Sequence, residues 1–175
     1  MKMSYLRRYY HFGNMVFITI VTYNRQAILI ENIDLIRNAF KSVKYNFKII
    51  AGCVLHDHIH ILIEPENMND IPYIVSFFKQ FVSKNIANPP KQNAVQQKRR
   101  EKGIWQRRYY DHIIRDEKDL NKHLDYIHYN SMKHYNINPN NWKYSSFQKF
   151  VELGMYSQDW CNFDDVNSIN DMDLE

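Results

Sequence analysis

Cysteine is almost absent from this chain of 175 residues: there are two, Cys53 inside an apolar run and Cys161 in an acidic stretch near the C-terminus. Two isolated thiols exclude a disulfide framework and a paired CxxC metal site, and they suit a reducing cytoplasm. Glycine, at four, and proline, at five, are nearly as scarce, which excludes fibrous and low-complexity chains. No apolar run approaches the roughly 20 residues of a membrane-spanning helix. The first twelve residues carry Lys2, Arg7 and Arg8 among three tyrosines, not the unbroken apolar stretch of a secretory signal. What remains is 45% hydrophobic and 15% aromatic, enough for one core-forming domain with a short appendage. A soluble cytoplasmic protein is the expectation.

Basic residues are missing altogether from 151–175, which hold seven acids, so all 23 lysines and arginines fall on residues 1–150 against 12 acids. The expected organisation is a domain over 1–150 and an acidic tail over 151–175. The tail reads as a solubilising extension, or as a cover that mimics nucleic-acid charge over a basic groove. Within the body, 91–115 concentrates Lys91, Lys98, Arg99, Arg100, Lys102, Arg107, Arg108 and Arg115 against Glu101 and Asp111. A basic run alone is as often a solvated surface as a binding site. Interleaved Trp105, Tyr109 and Tyr110 favour nucleic acid, because bases stack on rings while phosphates meet Arg and Lys.

β-Branched and aromatic residues over 15–23 predict a first strand, and apolar positions Ile30, Ile33, Ile36, Ala39, Phe40 and Val43 predict a helix over 28–43. Strands follow over 47–55 and from His58, where Ile59, Ile61 and Ile63 alternate with His58, His60 and Leu62. A second helix is predicted over 70–87 and stops at Asn88-Pro89-Pro90. Residues 91–103 lack periodic apolar positions and read as a mobile loop that orders on a ligand. A fourth strand is expected over 109–115, and Asp116 is a good N-cap for a helix over 117–134 with a stripe of Leu120, Leu124, Ile127 and Met132. The order βαββαβα is that of a ferredoxin-like α+β sandwich with an antiparallel sheet.

Side chains at i and i+2 of a strand share a face, so His58 and His60 form a ready pair of metal ligands while Ile59 points to the core. The alternative is two polar residues on a wet strand face. On the helix over 117–134, Tyr126 and Asn130 stand four apart and share a face. An amide oxygen at 130 would complete a site of two histidines and one oxygen for a divalent ion, with positions left for phosphate oxygens. Tyr126 beside it is a candidate nucleophile toward phosphorus, or else a core-edge tyrosine with its hydroxyl in water. His123, His128 and His134 read as solvent-facing, and His56 and His112 have no spacing that marks them.

Four segments in order resemble a known family: His58-Ile59-His60 with Ile61-Leu62-Ile63, Ile104-Trp105-Gln106-Arg107, Tyr110-Asp111-His112-Ile113-Ile114-Arg115, and Asp125-Tyr126-Ile127-His128-Tyr129-Asn130. The chain, from Arg8-Tyr9-Tyr10 through Trp142-Lys143-Tyr144-Ser145-Ser146-Phe147, resembles the REP-associated tyrosine transposases of the single-tyrosine HUH nucleases. The resemblance implies Mg²⁺ or Mn²⁺ on His58, His60 and Asn130, with Tyr126 attacking single-stranded DNA at a hairpin. The product would be a 5′-phosphotyrosine bond and a free 3′-hydroxyl. Arg99, Arg100, Lys102, Trp105, Arg107, Arg108, Arg115 and Lys133 would contact the DNA, and a monomer at the bacterial nucleoid is favoured. The alternative is a protein that binds structured DNA or RNA hairpins without covalent chemistry. Two departures stand out. Asn130-Ser131-Met132-Lys133 replaces the family's Asn-Pro-Val-Lys, so the helix is expected to run past Asn130. His56-Asp57 replaces the Pro-Asn that often precedes the histidine pair, which opens an altered metal preference.

Overall fold

Val16–Val21 (VFITIV) form strand β1, and all six residues are buried. A strand this apolar must be covered on both faces and paired on both edges. The computed structural model, which describes residues 14–161, supplies all four contacts. β3 (His58–Pro65) runs antiparallel on one edge, with Val16 opposite Ile63 and Val21 opposite His58. β4 (Tyr110–Ile113) runs antiparallel on the other edge, and β2 (Phe47–Val54) closes a hairpin with β3. The sheet order is β2-β3-β1-β4, which is the expected ferredoxin-like topology.

One face presents Val16, Ile18, Ile20, Ile59, Ile61 and Ile63 to α1 (Ile33–Lys41) and α2 (Ile71–Asn85), whose Ile36, Ala39, Ile74, Val75, Phe78 and Val82 fill the layer. The other face presents Phe17, Ala51, Cys53 and Leu62 to α4 (Glu117–Tyr135) through Leu120, Leu124, Tyr126 and Ile127. α4 is the layer that decides the setting of the histidines. The period of two that sends Ile59 toward α1 and α2 sends His58 and His60 beneath α4, where they are 1% and 0% exposed. They are not on a wet face.

Several elements differ from expectation for identifiable reasons. α1 begins at Ile33, not at 28, because the Leu29 amide is drawn to the His56 carbonyl (3.0 Å) and the chain over 28–32 turns to follow it. The polar stretch 91–103, expected as a loop, carries regular structure. It contains α3 (Ala94–Lys98), whose Asn93 and Gln96 side chains and amides bond reciprocally at 2.9 Å in a capping box. α4 is capped by Asp116, which accepts from the Asp119 amide at 2.8 Å, and it runs unbroken through Ser131 to Asn136. The expected absence of a bend after Asn130 is therefore what the structure has.

After α4 the chain returns to the sheet. Val54 donates to the Tyr144 carbonyl (2.9 Å) and Ser146 to that of Gly52 (2.8 Å), so residues 144–146 cover half of the β2 edge. α5 (Phe147–Glu152) follows, and Tyr156 and Trp160 are buried against Phe147. The acidic positions from Asp164 onward lie outside the described residues, as do Arg8, Tyr9 and Tyr10. Among the described residues no helix is long and apolar enough to cross a membrane.

His123 and His128, expected in solvent, are buried at 2% and 0% exposure because α4 packs on the sheet along one side and on the returning 144–160 segment along another. His128 sits among Phe147, Phe150 and Tyr156, and its Nε2 and the Ser146 Oγ are 2.9 Å apart. Burial pushes its pKa down to about 3, so it folds neutral. The unfolded chain takes up a proton near pH 6.5, so the stability this neutral ring confers is full above 6.5 and is lost as pH falls toward 3. The expected slope is about 1.4 kcal/mol per pH unit, or about 2 kcal/mol between pH 6.5 and 5. His128→Gln, which keeps a partner for Ser146 and cannot titrate, is expected to flatten this part of the urea-stability profile; an unchanged slope would place the titration elsewhere.

Candidate active site

The histidine pair is set by a turn whose backbone is tied to three neighbouring elements. Leu55 donates to the His58 carbonyl (2.9 Å), Leu29 to His56, and Thr22 to Asp57 through its amide (2.8 Å) and its hydroxyl (2.9 Å). The His56 amide donates to the Tyr135 hydroxyl at 3.1 Å, which ties the turn to the end of α4. On the sheet, Thr19 lies directly opposite His60, and its Oγ1 is 2.9 Å from His60 Nδ1. His58 Nδ1 donates to Asp57 Oδ1 at 2.6 Å. Burial raises the Asp57 pKa, but His58 and Arg25 outweigh it and hold the carboxyl below its ordinary value. With Nδ1 engaged on each ring, Nε2 is the nitrogen each can offer a cation.

Over this pair stands one face of α4. The Tyr126 ring, fully buried, meets His60 edge-on at 5.0 Å and Phe17 at 5.9 Å, and Lys133 Nζ is 5.2 Å from its centroid. His134 packs edge-on against His58 at 4.8 Å. One turn beyond Tyr126, Asn130 is fully buried. Its Nδ2 donates to the Tyr126 carbonyl, which fixes the amide, and its Oδ1 is a buried acceptor with no hydrogen-bond partner. A buried amide oxygen left without a donor is what a cation ligand looks like before the cation arrives. Two imidazoles held through Nδ1 and one amide oxygen make a hard and borderline donor set that suits Mg²⁺ or Mn²⁺. The residues present fit a divalent ion.

A second group also gathers donors. His112, Asp119 and His123 have ligand atoms within 4.8 Å of one another. Their geometry favours a hydrogen-bonded post. Asp119 Oδ2 accepts from His112 Nε2 (2.8 Å), from Arg115 Nε (3.1 Å) and from the Arg115 amide (3.1 Å). Burial raises this carboxyl, yet those donors hold it down at about 2. The His112 and His123 rings are stacked at 4.6 Å and 17°, so their in-plane lone pairs run side by side and do not converge on one point. The group joins β4 to α4.

The basic residues divide. Arg99, Arg100, Lys102, Arg107 and Arg108 are exposed on an ordered frame. Lys79 Nζ donates to the carbonyls of Gln106, Arg107 and Arg108 (3.0, 3.5 and 3.3 Å), and burial lowers its pKa to about 8. Gly103, at φ 71°, leaves room for Gln96 Oε1, which a Cβ would meet at 3.1 Å. Arg115 is 73% exposed and leans on Asp119. Trp105 is half-buried: its Nε1 donates to the Lys79 carbonyl (3.1 Å) and its ring packs on Phe78 beside the α2 core layer. Tyr110, 38% exposed on β4, remains an open ring.

The strand-borne histidine pair lies under a helix that carries a tyrosine and an amide four residues apart, the set that the resemblance to single-tyrosine transposases implies. Residues 9–130 match the family model described as "Transposase IS200 like", and the chain belongs to that family of transposases. It is 39% identical to the Haemophilus influenzae protein named "Putative REP-associated tyrosine transposase", over 97% of this chain and 100% of that one. It is 33% identical to the REP-associated tyrosine transposase of Escherichia coli K12, over 91% of this chain and 92% of that one. Among solved structures, that of a REP-associated tyrosine transposase bound to a REP hairpin is similar with a TM-score of 0.72 and 29% identity, over 98% of this chain and 96% of that one.

Sequence reasoning missed Thr19, read His134 as solvent-facing, and noted Asp57 only as a departure from the family pattern. Asp57 had a signal, a carboxylate next to a candidate ligand. Thr19 had none without the strand register. Thr19→Val removes the partner of His60 Nδ1 and keeps the volume. It is expected to weaken Mn²⁺ binding at least about 10-fold by calorimetry with a near-native melting temperature, as loss of an outer-shell partner does elsewhere; wild-type affinity would detach Thr19 from the site.

Proposed function

We propose that this chain cuts and rejoins single-stranded DNA at hairpins of the REP type through a covalent bond to Tyr126. The observation that carries the reading is the Tyr126 ring on His60, one helical turn from the buried acceptor Oδ1 of Asn130. The hairpin-bound structure of a relative supports the choice of substrate. Such a substrate lies in the bacterial cytoplasm, at the nucleoid.

His58 Nε2, His60 Nε2 and Asn130 Oδ1 would hold a divalent ion, Mg²⁺ or Mn²⁺. What the ion supplies when bound is neutralisation of charge on the non-bridging oxygens of the scissile phosphate. The Tyr126 oxygen then attacks phosphorus as its hydroxyl proton leaves. The bond from phosphorus to the 3′-oxygen breaks, and that oxygen takes up a proton. A 5′-phosphotyrosine and a 3′-hydroxyl result. One phosphodiester has been exchanged for another, so the reverse attack by a different 3′-hydroxyl rejoins DNA without an outside energy source. Because Tyr126 is fully buried, DNA must uncover it on binding. Arg99, Arg100, Lys102, Arg107, Arg108, Arg115 and Lys133 supply phosphate contacts that hold the hairpin.

Tyr126→Phe is expected to abolish the protein–DNA band on denaturing gels with Mn²⁺ and end-labelled REP hairpins, while hairpin affinity stays within about threefold. A chelator should remove the band from the wild type. Adduct formation by the Phe variant would contradict the reading, and hairpin binding by a wild type that never forms an adduct would favour a protein that binds hairpins without cutting them.

A further inference from the structure

The sheet face that carries the histidine pair extends past α4. That helix lies mainly across β2 and β3, whereas β4 is an edge strand on the far side of β1. Thr19 stands opposite His60 on one side and opposite Tyr110 on the other. Directly opposed residues share a face, so His60, Thr19 and Tyr110 form one row across the sheet, with its ends two strand spacings apart, about 10 Å. His60 and Thr19 are fully buried, and Tyr110 is 38% exposed.

The Phe17 ring joins the ends of this row. It stacks on His60 at 5.6 Å and 18°, meets Tyr126 edge-on at 5.9 Å, and meets Tyr110 at 6.2 Å and 66°. Phe17, His60 and Tyr126 are fully buried, so Tyr110 is where this aromatic cluster reaches solvent. Tyr109, its neighbour in the chain, packs instead against the layer of α1 and α2, with Lys79 Nζ 5.7 Å from its centroid. Charge along β4 also divides by face. Asp111, opposite Ile18, lies on the side of α1 and α2. His112, opposite Phe17, lies on the side of Tyr110 and bonds Asp119 at 2.8 Å, on which the exposed Arg115 leans. This face thus offers an open ring and, past His112, a guanidinium. Single-stranded nucleic acid is held by such pairs, a base on the ring and a phosphate on the cation.

We propose that Tyr110 is a positioning residue for strand transfer: one base of the single-stranded DNA stacks on its ring, which holds the adjoining phosphate toward the His60 end of the row. The proposal rests on the strand-transfer reading above and adds to it the place where the strand enters. Every base has a π-face, so the platform fixes the path of the strand without selecting its sequence. Tyr110 touches no reacting atom. It acts by narrowing the positions open to the scissile phosphate before Tyr126 attacks.

The test measures binding of the full-length wild type, Tyr110→Phe and Tyr110→Leu to REP hairpins with single-stranded flanks, and to the same DNAs with one flank nucleotide at a time made abasic. Tyr110→Phe keeps the ring and is expected to bind within about threefold of the wild type. Tyr110→Leu keeps apolar cover over Phe17, so a near-native melting temperature is expected. It should bind the flanked hairpin about 10-fold more weakly, as on loss of one stacked base, and a hairpin without flanks as the wild type does. At one flank position the abasic nucleotide should weaken the wild type about 10-fold and Tyr110→Leu less than about twofold, a coupling that a merely structural role would not confine to one nucleotide. Mapping of the wild-type adduct formed with Mn²⁺ should place that nucleotide beside the cut. Wild-type affinity in Tyr110→Leu, a loss independent of the flanks, or equal abasic losses in both proteins at every position would overturn the proposal, as would a coupled nucleotide remote from the cut. A wild type that forms no adduct removes the strand-transfer reading; the coupled loss, read from binding alone, would still place one base on Tyr110.

Discussion

The site depends on the register between β1 and β3 inside a sheet covered on both faces. Thr19 stands opposite His60 and Val21 opposite His58. A slip of one residue would turn both imidazoles into the apolar layer of α1 and α2 and bring Ile59 and Ile61 beneath Tyr126. Nothing in the histidine pair corrects such a slip. The register is enforced by Val16, Ile18 and Ile20 on one side and Phe17 on the other, whose burial would be lost, and by the turn before His58, pinned by Thr22, Leu29 and Tyr135. The hydrophobic cores on the two faces thereby fix the polar site between them.

Burying polar groups there is costly unless each has a partner. The structure answers with Thr19 and Asp57 on the two Nδ1 atoms and with the Tyr126 carbonyl on the Asn130 amide. The remaining atoms face the chemistry. The same economy of partners holds the basic segment: Asn93 and Gln96 cap α3, Lys79 gathers the carbonyls of 106–108, and Trp105 anchors the stretch to α2.

Much of this was legible in the chain. Alternation at 58–63 located the strand and the shared face of the histidines, and the spacing of Tyr126 and Asn130 located their shared helical face. Asp116 marked the start of α4, and Ser131, in place of the proline of the resembled motif, matched its unbroken run. What escaped local pattern was long-range. His123 and His128 look like polar helix positions until Phe17 and His112 are seen to close over the first and the returning 144–160 segment over the second. The stretch 91–103 has no apolar period because α3 is held by side-chain caps in place of a core. Trp105 sits among arginines in sequence and against Phe78 in space. Thr19 reaches His60 only through cross-strand register, which spacing along the chain does not encode.

The central claim is that one tyrosine, Tyr126, becomes bonded to DNA. The most direct measurement is mass spectrometry of proteolysed adduct after reaction with a REP hairpin and Mn²⁺ and digestion of the DNA to a short remnant. The account predicts a nucleotide attached through its 5′-phosphate to the α4 peptide that contains Tyr126, with fragment ions that separate Tyr126 from Tyr129. A remnant on any other residue, or a cleaved hairpin with a free 5′-phosphate and no adducted peptide, would contradict it.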